Sequence, residues 1–184
     1  MQRIPALDPA STTGKSKEYF TAIEKQLGMV PNMMRTMGNS PAVLNGYLSF
    51  SGALNESSIG SKLGELIAIT VANANNCDYC NAAHSFIAEK LVNLPANAIE
   101  LAREARSQDL KAEAALQFAK KLAEKKGRIS QQDFNALKNA GYTDAGIAEI
   151  MAHVALNVFT NYFNIATEVV VDFPKVKLAE PVTI

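Results

Sequence analysis

The sequence predicts an all-α, single-domain bundle of about eight helices. Three observations predict it: apolar residues recur at the helical period in nearly every segment after residue 17, no stretch alternates as a strand would, and the punctuation between segments is that of helix caps. No repeat of fixed period and no low-complexity tract points to another architecture. A chain of 184 residues is expected to build one core.

Residues 1–17 are rich in Pro, Ser, Thr and Lys and read as an irregular leader, followed by a helical domain over 18–174 and a tail at 175–184. The first helix is expected from about Glu18 to Leu27, stopped by the turn Gly28-Met29-Val30-Pro31. Ser40 as N-cap and Pro41 at the first helical position open the next, which runs toward Leu54. Gly60 or Ser61 starts a third carrying KLGELIAITVANA, apolar around most of its circumference and therefore expected to be buried. Asn75 and Asn76 break it. A fourth begins near Cys77 and continues to about Leu91, and Pro95 opens a shorter fifth. Between Asp109 and Lys126 the residues Ala115, Phe118, Ala119 and Leu122 share one face, and Gly127 can end that helix in a left-handed conformation. Ser130 with Asp133 resembles a capping box for a short helix to Ala140. Thr143 caps the last and longest, expected to persist to about Asp172 with Pro174 just beyond.

Composition narrows the function. With 48% apolar and 20% charged residues the chain has the balance of a soluble folded protein. Eighteen Lys plus Arg are matched by eighteen Asp plus Glu, which removes the basic footprint of a nucleic-acid binder and any polybasic attraction to an anionic membrane. The most apolar stretch, LIAITVA at 66–72, is far too short to span a bilayer. The opening MQRIPALDPASTTGKSKEYF lacks the charged-then-apolar pattern of an export signal, so a cytoplasmic, reducing setting is expected. Two cysteines in such a setting are poor candidates for a permanent staple.

Their spacing suggests chemistry instead. Cys77, Cys80 and His84 stand at i, i+3 and i+7, so a helix beginning near Cys77 gathers both sulfurs and the imidazole within about 60° of arc. A disulfide between the sulfurs is geometrically allowed, and so is proton exchange between Cys80 and His84, one turn apart. Thiol chemistry needs the thiolate, which a helix N-terminus and a nearby imidazole both favour. Glu65 adds a carboxyl on the helix expected to be buried, and a carboxyl in apolar surroundings can trade protons near neutrality. A tight link at Asn75-Asn76 folds the two helices back on each other. Glu65 then lies about 15 Å of helix rise from the link, level with His84 rather than with the sulfurs.

Each feature also has a plainer reading. A Cys-x-x-Cys pair can be a packing feature or a metal knuckle, and a lone Glu is often a solvated first-turn residue. Cys77, Cys80, His84 and His153 together are all the Cys and His of the chain and make up a possible Cys2His2 zinc set for an interaction module. The last helix carries a second pattern: His153, Asn157, Asn161, Asn164 and Glu168 fall within about 80° of arc among Ile, Met, Val, Leu and Phe. That stripe reads as a solvent face, a subunit interface, or a wall of the site that brings His153 near the cysteines.

Glu65, eleven intervening residues, Cys77, two residues, Cys80, three residues and His84 together resemble the pattern of the alkylhydroperoxidase D-like members of the carboxymuconolactone decarboxylase superfamily. GMVPNMM before the Pro41 helix, and the long Asn-bearing helix ending in VVVDFP, are similar to the family's flanking regions, so the resemblance runs from about Gly28 to Pro174. It implies an all-helical homo-oligomer, a dimer, trimer or hexamer, acting as a thiol peroxidase on hydrogen peroxide or organic hydroperoxides. Cys80 is then the attacking cysteine, Cys77 the resolving one, and Glu65 with His84 a proton relay. No bound cofactor is implied, since recycling falls to an external dithiol, in the family a lipoyl-bearing protein. Where some members carry His immediately before the second Cys, this chain carries Tyr79. The helix dipole favours Cys77 as nucleophile, whereas the family assigns Cys80. Lactone decarboxylation, for which the superfamily is named, remains the other enzymatic reading, though it has no evident use for paired thiols.

Overall fold

The computed structural model describes residues 1–178, and the final part of the expected 175–184 tail lies outside them. Nine helices occur among the described residues: α1 (Gly14–Leu27), α2 (Asn32–Met37), α3 (Pro41–Leu54), α4 (Gly60–Ala74), α5 (Asp78–Lys90), α6 (Ala96–Arg103), α7 (Leu110–Glu124), α8 (Gln131–Asn139) and α9 (Asp144–Thr167). No strand is present among them.

Local chemistry sets most of these boundaries. Ser40 accepts a hydrogen bond from Val43 N with Pro41 following, Thr143 accepts from Gly146 N, and Ser130 and Asp133 close a reciprocal capping box. Three boundaries depart from the sequence expectation. Helix α1 starts at Gly14 rather than Glu18, because Ser16 is buried and donates its hydroxyl to the Gly38 carbonyl at 2.6 Å. Helix α2 is the ninth helix where about eight were expected; with six residues it is too short to declare a period. Helix α9 ends at Thr167 rather than near Asp172. Glu168 turns left-handed (φ 53°), Val169 N bonds back to Asn164 O, and the β-branched Val169-Val170-Val171 run continues without regular structure.

Helix α4 is the hub. It packs against α5, α6, α7 and α9, which agrees with its apolar circumference. One hydrophobic cluster, with Ile67, Ile69, Leu116, Leu137 and Ile150 wholly buried, joins α4 to α7, α8 and α9. A second gathers Phe20, Met33, Met37, Leu44, Tyr79, Cys77, Cys80 and Val169 around the start of α5. The N-terminal segment closes over this second cluster. Arg3 N donates to Thr167 O and Leu7 N to Arg35 O, and the Arg35 guanidinium returns a bond to Leu7 O. No helix among the described residues is long and apolar enough to cross a membrane.

Candidate functional site

The turn between α4 and α5 positions the chemistry. Asn76 adopts a left-handed conformation (φ 55°), which Asn tolerates better than most residues, and Cys77 N bonds back to Ala72 O at 2.8 Å. The chain therefore reverses within three residues, and α5 lies against α4. Cys77 is the N-cap of α5, where its Sγ accepts the Cys80 amide at 3.3 Å. Cys77 and Cys80 are joined in a disulfide with their Cα atoms 5.4 Å apart, and both are buried.

Nine residues up α4 from its end, Glu65 meets His84 as the helical levels require. Its Oε2 lies 2.8 Å from His84 Nδ1, and the two side chains are 20% and 23% exposed. A carboxylate on Nδ1 fixes the ring's orientation and leaves Nε2 as its other proton-transfer position.

These groups share a cavity of about 330 Å³. Cys80, Glu65 and His84 line it; Cys77 does not. Most of the remaining wall is apolar and soft, with Met29, Met33, Met34, Leu54, Phe86 and Phe173 among its members.

The polar stripe of α9 faces inward over most of its length. His153, Asn157 and Asn164 line the cavity, and buried Asn161 accepts from Asn75 Nδ2 at 2.9 Å. Glu168 departs from the stripe: it is exposed at the end of the helix and pairs with Arg3 at 2.8 Å. The His153 ring rests on Gly64, where an added Cβ would stand 2.9 Å from Cε1, and its Nε2 lies 3.2 Å from Ser57 Oγ. Burial holds His153 below the usual histidine range, outweighing the pull of Glu65 and Glu149 in the other direction. Among the described residues no three His, Cys, Asp or Glu side chains are grouped as metal ligands would be.

Two contributors were not singled out from sequence. Tyr47 and Ser51, one turn apart on α3, reach the cavity beside Glu65. The Tyr47 phenol is pushed up to about 12, first by burial and then by the Glu65 charge. The only signal available was that α3 carries no charged residue. Tyr79 has a packing role: its hydroxyl accepts Met33 N at 3.1 Å, its ring meets Phe173 edge-on, and burial raises its pKa.

Residues 41–121 match the carboxymuconolactone decarboxylase family. No curated protein matches the chain in sequence. Among solved structures, an uncharacterized peroxidase-related protein from Silicibacter sp. TM1040 is 25% identical with a TM-score of 0.79, covering 92% of each chain. An alkylhydroperoxidase AhpD core protein from Ralstonia eutropha JMP134, also peroxidase-related and uncharacterized, is 22% identical with a TM-score of 0.83, covering 93% of this chain and 92% of its own. The debrominase Bmp8, solved in complex with 2,3,4-tribromopyrrole, is 24% identical with a TM-score of 0.79, covering 92% of this chain and 91% of its own. The family match spans α3 to α7, and the alkylhydroperoxidase D-like all-helical fold is shared with these structures along nearly the whole length of the chain.

Proposed function

We propose that the protein is a two-cysteine thiol peroxidase that reduces hydroperoxides through a Cys77–Cys80 disulfide cycle. The observation that carries this reading is a disulfide whose Cys80 lines a cavity together with a hydrogen-bonded Glu65–His84 pair. In the reduced enzyme the Cys80 thiolate attacks the terminal oxygen of the hydroperoxide. A sulfur–oxygen bond forms as the O–O bond breaks, Cys80 becomes a sulfenic acid, and the alkoxide leaves as an alcohol with a proton from the Glu65–His84 pair. Cys77, having given its proton to the same pair, attacks the Cys80 sulfur. The disulfide forms and hydroxide departs as water. An external dithiol then returns two electrons; the family resemblance suggests a lipoyl-bearing protein.

The position of Cys80 on the cavity wall supports it as the attacking sulfur, and the apolar lining has room for an organic hydroperoxide as well as hydrogen peroxide. Lactone decarboxylation has no step for a sulfur pair, and a Cys2His2 zinc module needs sulfurs that are not bonded to each other. A cytoplasmic setting, where dithiols stay reduced, suits this recycling. Self-association is supported by the apolar side chains that α3 and α9 expose, Val43, Phe50, Met151, Phe159, Tyr162 and Ile165.

The test is a stopped-flow titration of reduced protein with cumene hydroperoxide, followed by mass spectrometry. Stoichiometric consumption with disulfide formation is expected, with sulfenic acid trapped on Cys80 in Cys77→Ser and no reaction in Cys80→Ser. Undiminished turnover in either variant overturns the cycle.

A further inference from the structure

Cys77 stands at the amino end of α5, where exposed backbone amides favour a thiolate, whereas Cys80 lies one turn further in. With nothing else acting, negative charge would settle on the sulfur that does not line the cavity. Asn164 opposes this. It reaches across from α9, is 3% exposed, and lines the cavity. Its Nδ2 lies 3.2 Å from Cys80 Sγ and 3.3 Å from Met33 Sδ, so the amide donates to sulfur on both sides.

The other end of the same amide is unpaired. Asn164 Oδ1 is buried and has no hydrogen-bond partner. A buried carbonyl left without a donor is unfavourable, so mutual polar satisfaction does not account for this side chain. What the amide does gain is at its nitrogen. Because thioether and disulfide sulfurs carry no hydrogen and can only accept, the two sulfur neighbours also fix which way the amide faces.

We propose that Asn164 is a catalytic residue of the peroxide reaction, donating an N–H to the Cys80 thiolate and thereby holding negative charge on the sulfur that meets the substrate. The assignment rests on the two-cysteine peroxidase reading. In the step it assists, Cys80 S⁻ takes the terminal hydroxyl of the hydroperoxide, the O–O bond breaks, and the departing alkoxide collects the proton held by Glu65 and His84. Asn164 neither gains nor loses a proton. The titratable groups around the same cavity are Tyr47 from α3, Glu65 from α4, Tyr79 and His84 from α5 and His153 from α9, with Asp172 beyond α9 coupled to Tyr79. All of them are kept in the test.

The chain has two cysteines, so in a Cys77→Ser background Cys80 is the sole thiol, and Ser is a favourable N-cap for α5. Thiolate formation is followed by far-ultraviolet absorbance against pH, and sulfenic acid formation by stopped flow with cumene hydroperoxide. Asn164→Leu removes the donor at similar size and Asn164→Ala removes it without steric conflict; both residues are strong helix formers. In either variant that is folded by circular dichroism, the thiolate midpoint should rise by about one pH unit and attack near neutral pH should slow about tenfold. An unchanged midpoint and rate overturns the assignment. If the Cys77→Ser parent forms no sulfenic acid, the peroxidase reading falls instead, while the thiolate midpoint still decides whether Asn164 holds charge on Cys80.

Discussion

The two hydrophobic clusters are built from different materials. The one between α4, α7, α8 and α9 draws its buried members from Leu, Ile, Val, Ala and a single Phe, with no sulfur among them. The one around the start of α5 contains two Met, two Cys and a Tyr. Branched aliphatic side chains have few rotamers and set a shape, whereas sulfur-bearing and aromatic side chains adapt and can bind. Helix α4 belongs to both. Leu66, Ile67, Ile69 and Val71 serve the first cluster, Ala72 the second, and Glu65 and Ala68 the cavity. The molecule thus divides into a half that fixes geometry and a half that uses it, with one helix held in common.

Three substitutions sharpen this division, beginning with the largest effect. Glu65→Gln and His84→Gln should each slow sulfenic acid formation by on the order of 10²–10⁴-fold, the usual worth of a positioned proton donor, with thermal midpoints close to the parent's. Stopped-flow rates beside calorimetry check this, and a large loss of stability in both would erase the distinction between the halves. Leu116→Ala, wholly buried in the aliphatic cluster, should do the reverse. It should cost about 3 kcal/mol in denaturant unfolding and leave turnover per folded molecule unchanged.

The smallest effect concerns pH. Burial depresses the folded-state pKa of His153, so the unfolded chain binds its proton more readily. The associated stability is present above the ordinary histidine value near 6.5 and is lost as pH falls below it. The melting temperature between pH 7 and pH 5 should therefore drop less in His153→Gln than in the parent. Parallel curves would show that the proton does not discriminate between the two states.

What could be read in advance was what local chemistry determines. Ser40 with Pro41, Ser130 with Asp133, and Thr143 each fix a helix start through bonds to neighbours within three residues, and all three are found. The meeting of Glu65 with His84 was also legible, because it follows from helix rise and a short reversal at Asn75-Asn76. Features set by distant partners were not. Helix α2 depends on contacts such as Tyr79 Oη to Met33 N, and the early end of α9 depends on Val169 turning into the second cluster. Whether the Asn stripe faced water or the site could not be decided from one helix, since a periodic polar face looks the same on either side of a wall.

The double duty of Cys77 has a consequence for observing the protein. One sulfur is both half of the bridge and the acceptor for the backbone amide that begins α5. The electron count of the pair is therefore coupled to the frame of the helix, and the Cys80 amide signal becomes a built-in gauge of how many molecules are oxidised at any moment.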